Sequence, residues 1–151
     1  MQYKILALIF NSDFATKFAF LGGTCLRIVH QTNRFSEDLD FDNFDVFGSI
    51  RTTPVDLLLA QKITAFCQRK QPKGRDIYDI TFLCAKTRPN YAYLQQRLAV
   101  TNATDLKETL YNRLAHLDLA QLAKDVAPFL FNTSDAQRIL LFPQFVQQAE
   151  F

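Results

Sequence analysis

Two consecutive glycines, Gly22 and Gly23, close the short apolar run Ala19-Phe20-Leu21 and lead into Thr24-Cys25-Leu26. Without a Cβ, a glycine pair lets the backbone turn sharply and lets another group approach it closely. The run before the pair predicts a short strand, and Leu26, Ile28 and Val29 predict a short helix over 24–31. A strand that turns at glycines into a helix gathers backbone amides and the Thr24 hydroxyl at one point, which is how a phosphate is cradled. A plain turn uses the same residues.

Beyond the polar stretch 31–34, Leu39 and Phe41 alternate with Asp38, Asp40 and Asp42. Period-two alternation predicts a strand over 35–44 with its carboxylates on one face. Asp38 and Asp40 would then share one or two divalent cations. Cations held this way neutralise a triphosphate, activate an attacking hydroxyl and stabilise leaving pyrophosphate. A solvated strand face is the simpler alternative for the same pattern.

The remainder reads as helices. Thr53-Pro54-Val55-Asp56 offers a cap, a proline for the first helical position and an early acid. Val55, Leu58, Leu59, Ile63 and Phe66 make the apolar stripe, and the loop 71–74 precedes a second helix over 75–86. Further helices are expected at 91–100, 103–116, 118–127 and 134–149, with breaks at Asn102, Ser134 and Pro143. Strands followed by helices place the chain in the α+β class. Residues 1–50 carry the glycine and aspartate motifs, and 51–151 form a helical region, the two making one continuous unit. With 48% apolar and 21% charged residues over 151 positions, the chain has a core to build, and its 15 Phe read as core filler. The helix candidate at 1–10 is too short to span a bilayer, and no signal peptide is evident, so a cytoplasmic location is expected.

The helical region carries its own chemistry. Lys62 falls inside the apolar stripe, where an ammonium must either reach water along its stem or find a phosphate or carboxylate partner. Asp76 and Asp79 lie one turn apart and so share a face on which they could meet Lys62 or orient an acceptor hydroxyl. Arg69, Lys70, Lys73 and Arg75 cluster around the intervening loop, a patch suited to triphosphate or RNA backbone, or simply a solvated loop. A net charge of +2 requires that any phosphate attraction be local. Cys25, Cys67 and Cys84 have neither CxxC spacing nor a companion histidine and read as reduced core residues.

Phe20-Leu-Gly-Gly-Thr-Cys-Leu-Arg-Ile28 and Arg34-Phe-Ser-Glu-Asp-Leu-Asp-Phe41 together resemble the AbiEii nucleotidyltransferases, toxins of type IV toxin–antitoxin systems. Leu57-Leu-Leu-Ala-Gln-Lys-Ile63, Lys73-Gly-Arg-Asp-Ile-Tyr-Asp-Ile80 and Asp125-Val-Ala-Pro-Phe129 resemble the family's later motifs and C-terminal helical region. The resemblance implies a small sheet like that of the nucleotidyltransferase half of DNA polymerase β, here with fewer strands, followed by helices. It implies transfer of a nucleotide from a nucleoside triphosphate to an RNA such as tRNA, or to a protein, with Mg2+ or Mn2+ and a cognate antitoxin as partner. On this footing Asp38 and Asp40 hold metal; Gly22, Gly23, Thr24, Lys62 and Arg75 bind the nucleotide; and Asp79, Lys62 and Asp76 serve catalysis.

One departure stands out. Family members carry several strands and usually a third metal-site aspartate between the aspartate pair and the next motif, whereas 12 residues separate Asp40 from Thr53 here. Asp42 and Asp45 are the nearby carboxylates. The shortening supports an alternative, a catalytically impaired remnant that binds nucleotide or an antitoxin. A sheet this small also leaves edges to cover, by helices or by a second copy of the chain in a homodimer.

Overall fold

The computed structural model describes residues 1–13, 15, 17–43 and 51–151, and of Asp42, Asn43 and Arg51 the backbone alone. The chain divides into two compact units, Met1–Pro54 and Val55–Phe151.

The first unit comprises α1 (Gln2–Phe10), β1 (Phe18–Leu21), α2 (Gly22–Ile28), β2 (Asp40–Asn43) and β3 (Arg51–Thr52). Its sheet has the order β2-β1-β3, with β1 antiparallel to β2 and parallel to β3. Paired on both edges, β1 buries Ala19 and Phe20 almost completely. Leu6, Phe20 and Cys25 form the core, with Phe10, Ile28, Leu39 and Phe41 packed against them. The Phe41 ring lies 5.5 Å from that of Phe20, centroid to centroid.

Two expectations are corrected in this unit. The strand predicted over 35–44 begins at Asp40, so Asp38 lies ahead of the ladder and the two carboxylates do not share a strand face. The alternation of Leu39 and Phe41 reports which side chains turn inward, but residues 35–38 find other partners for their carbonyls, given below. Thr53, predicted to cap α3, instead donates its amide to the Phe20 carbonyl at 3.3 Å and extends the parallel ladder. The helix accordingly starts at Val55. Asp45 and the junction 44–50 lie outside the described residues.

The second unit is built from α3 (Val55–Gln68), α4 (Gly74–Cys84), α5 (Tyr91–Leu98), α6 (Ala103–Leu114), α7 (Leu119–Val126), α8 (Gln137–Leu140) and α9 (Phe142–Gln148). Short 3-10 turns occupy Ala127–Phe129 and Thr133–Ala136. Leu58, Leu59, Ile63 and Phe66 of α3 and Ile77, Ile80 and Leu83 of α4 are buried, each contributing roughly 1.5–3 kcal/mol. Phe66 meets Phe142 edge to face at 5.8 Å. Asn90, Asn102 and Asp118 cap α5, α6 and α7 through their side chains. The helical stretch expected over 134–149 is interrupted at Leu141, beside the break expected at Pro143, which fits only the first turn of a new helix. Phe35 and Phe131, taken as core filler, are 48% and 56% exposed.

Strands in the first unit and helices throughout give the α+β fold expected, with a reduced sheet. Among the described residues no helix is long and apolar enough to cross a membrane.

Candidate active site

The glycine motif and the aspartate run interlock residue by residue. Leu21 and Asp40 are partners in the β1–β2 register, which brings Asp40 beside the following Gly22. Gly22 has φ +78°, and a Cβ there would stand 1.9 Å from Asp40 Oδ2. A Cβ on Gly23 would stand 2.5 Å from Ser36 Oγ and 2.7 Å from Arg34 Nη2. Thr24 is wholly buried, and its hydroxyl donates to the Asp38 carbonyl at 2.5 Å. The two glycines are therefore needed for close approach, and Thr24 anchors the aspartate segment.

Four successive carbonyls in that segment are held by side chains instead of by a strand. Arg34 Nη1 donates to Phe35 O at 2.8 Å. Gln2 Nε2 donates to Ser36 O and Glu37 O, each at 2.9 Å, and the Gln2 amide oxygen accepts from Arg27 Nη2. Thr24 completes the set at Asp38. Residues from α1, α2 and the loop thus fix the approach to Asp40, while the Asp38 and Asp40 side chains stay exposed. Gln2, Arg27 and Arg34 were not singled out by sequence reasoning. Arg34 is 1% exposed despite sitting in a stretch read as polar loop.

Asp38 and Asp40 offer oxygen donors only, and no third His, Cys, Asp or Glu joins them among the described residues. Such a pair fits a hard cation bound jointly by one or two carboxylates and substrate phosphates, as Mg2+ usually is, better than an all-protein cage. The side chain of Asp42 lies outside the described residues.

In the helical unit two wholly buried carboxylates of α4 each hold a cation of the preceding segment. Asp79 Oδ2 meets Lys62 Nζ at 2.8 Å, with the lysine side chain 16% exposed. The partner that Lys62 requires is therefore a carboxylate. Asp76 Oδ2 meets Arg69 Nη1 at 2.6 Å. Arg113 secures the same corner, donating through Nε to Phe66 O at 3.2 Å and through Nη2 to Arg69 O. Asp76 Oδ1 is buried without a hydrogen-bond partner. Burial pushes the Asp76 carboxyl above its ordinary value, against the opposing pull of Lys62 and Arg69, with Asp79 adding to the rise.

Arg75 is half-buried and, with Lys73, lines a cavity of about 530 Å³ at the start of α4. Gly74, between them, lets the α7 backbone close in: a Cβ there would stand 2.1 Å from Leu122 O. All three cysteines are free thiols. Burial pushes Cys25 and Cys84 up to about 12 and Cys67 to about 11, which keeps them from acting as thiolate nucleophiles.

No curated protein and no solved structure matches the chain. A family model does, that of the nucleotidyl transferase AbiEii toxin of type IV toxin–antitoxin systems, over residues 4–49 and 42–145. The two matched segments overlap at 42–49, the stretch in which the shortening relative to the family was expected. With most of its length matched by that model, the chain belongs to the AbiEii nucleotidyl transferase toxin family.

Proposed function

We propose that this chain is the toxin of a type IV toxin–antitoxin pair and acts as a metal-dependent nucleotidyltransferase, moving a nucleotide from a nucleoside triphosphate to an RNA or protein acceptor. The observation that carries the reading is the contact of Gly22 with Asp40 and of Thr24 with Asp38. In this reading Gly22 and Gly23 turn backbone amides toward the triphosphate, and Thr24 sets the position of Asp38. Asp38 and Asp40 hold Mg2+ or Mn2+ together with the phosphates, and the cation supplies charge neutralisation at the transferring phosphorus. By the family resemblance alone, Lys62 and Arg75 are the cations of the helical unit assigned to the triphosphate. Asp79 and Asp76, both closed to solvent, act through the cations they hold rather than by touching the acceptor: Asp79 aims Lys62, and Asp76 aims Arg69. A cognate antitoxin is the partner that would keep such an activity in check.

The absence of a third carboxylate among the described residues favours a second reading, a protein that binds nucleotide or antitoxin without turnover. Incubation with each nucleoside triphosphate, labelled at the α-phosphate, with Mg2+ or Mn2+ and a whole-cell extract separates the two. Label covalently attached to RNA or protein supports the transferase. Binding without attachment supports the second reading, and released monophosphate with no labelled acceptor points to hydrolysis.

A further inference from the structure

Asp38 and Asp40 are exposed, so packing does not orient either side chain, and the place of each carboxylate is set by the main chain that carries it. Asp40 is held by the β1–β2 ladder. Asp38 is not, because residues 35–39 belong to no helix or strand. Thr24 holds the Asp38 carbonyl, and Gln2 of α1 holds the two carbonyls immediately before it, Ser36 O and Glu37 O, each at 2.9 Å. Thr24 belongs to the glycine motif. Gln2 reaches the loop from 34 and 35 positions away and belongs to neither motif.

A primary amide has two N–H donors, and Gln2 uses its nitrogen on successive carbonyls while its oxygen accepts from Arg27 Nη2 of α2. A guanidinium only donates and a carbonyl only accepts, so one amide orientation alone satisfies all three groups. Few side chains could replace it. Glutamate would accept from Arg27 but offer the carbonyls nothing, methionine would fill the space and do neither, and asparagine is one methylene short. Holding the amide in place has a local cost: Arg27 Nε is buried without a hydrogen-bond partner, and no carboxylate of a described residue pairs with the guanidinium. An unsatisfied buried donor lowers stability, which a contact serving only to anchor α1 has no reason to bear.

We infer that Gln2 is a positioning residue for the aspartate pair, with Arg27 fixing its amide, so that α1 takes part in setting the cation affinity of the site. The inference rests on the reading of Asp38 and Asp40 as metal ligands. The other attachment of α1 is separable from this one: Leu6, the buried residue of the helix, anchors it in the core with Phe20 and Cys25. Anchoring and positioning can therefore be altered independently.

The test titrates the full chain with Mn2+ alone and measures the free ion by electron paramagnetic resonance, with a melting curve for each variant. Gln2→Met leaves charge and bulk unchanged and removes the donors, so it should weaken Mn2+ binding by about tenfold. Gln2→Asn, too short to reach both carbonyls, should act in the same direction. Arg27→Met removes a positive charge that opposes the cation; weaker binding in that variant supports its orienting role, and tighter binding would overturn it. Leu6→Val should lower the melting temperature and leave Mn2+ affinity near that of wild type. Equal weakening in Gln2→Met and Leu6→Val would overturn the inference and leave α1 an anchor only. Binding that is lost in Asp40→Ala yet unchanged in Gln2→Met sinks this inference alone. A folded wild type that binds no Mn2+, or binding that persists in both Asp38→Ala and Asp40→Ala, contradicts the metal reading and this inference with it.

Discussion

The Asp40 carboxylate lies against the Gly22 backbone so closely that a single added carbon on Gly22 would stand 1.9 Å from its Oδ2. Gly22 also has φ +78°, which a side chain would strain by about 1–3 kcal/mol. Gly22→Ala should therefore move the carboxylate rather than merely remove flexibility, lowering the transfer rate by about a hundredfold. The far-UV circular dichroism, dominated by the helices of Val55–Phe151, should be retained. A wild-type transfer rate in this variant would show that the Asp40 position is not critical.

Thr24 reaches the same site through the carbonyl of Asp38. Thr24→Val keeps the shape and removes the donor, so the apparent metal requirement of transfer should rise by about tenfold while Thr24→Ser stays near wild type. Metal titration of the transfer rate reads this directly. Equal titration curves for Val and Ser would assign Thr24 a packing role only.

Lys62 and Asp79 join α3 to α4 at 2.8 Å, with the carboxylate wholly buried. Asp79→Ala leaves an ammonium that is 16% exposed without its partner, and a loss of about 3–5 kcal/mol in urea unfolding is expected. Lys62→Met combined with Asp79→Leu should recover most of that stability and yet remain inactive in transfer. A stable double variant with wild-type activity would reduce the pair to a structural link.

Helices in the Val55–Phe151 unit were legible because their signals are local: the stripe of α3, the break at Asn102 ahead of α6, and the proline in the first turn of α9. The need of Lys62 for a partner was legible too, from its place among buried residues, although which group would meet it depended on how α4 packs. Asp38 was harder. Alternation tells which side chains turn inward, but the carbonyls of residues 35–38 are held by Arg34, Gln2 and Thr24, and Gln2 lies more than thirty positions away in sequence. No local pattern records such a distant side-chain donor, and for the same reason Arg34 passed as a loop residue.

Asp76 ties stability to pH with a definite sign. Burial holds its carboxyl above the ordinary value in the folded chain, against Lys62 and Arg69. The folded state thus binds this proton more tightly than the unfolded state. The resulting stabilisation is complete below the unfolded value of about 4 and is lost as pH rises through the folded one. Asp76→Asn lacks that loss, so the unfolding free energy of the variant minus that of wild type should increase as pH rises from about 4 through the raised folded value. A difference that decreases over this range would mean that the cations outweigh burial.

The central claim is that exposed Asp38 and Asp40, set in place by the glycine motif, support nucleotide transfer without a third described carboxylate. The direct measurement is covalent attachment of α-phosphate label to acceptor by wild type, Asp38→Ala and Asp40→Ala under identical Mg2+ or Mn2+, each variant verified as folded by its melting curve. Attachment by wild type and a loss of about a thousandfold or more in both variants is the predicted result. Attachment that persists in both variants, or none by the folded wild type with any of the nucleoside triphosphates, would contradict it.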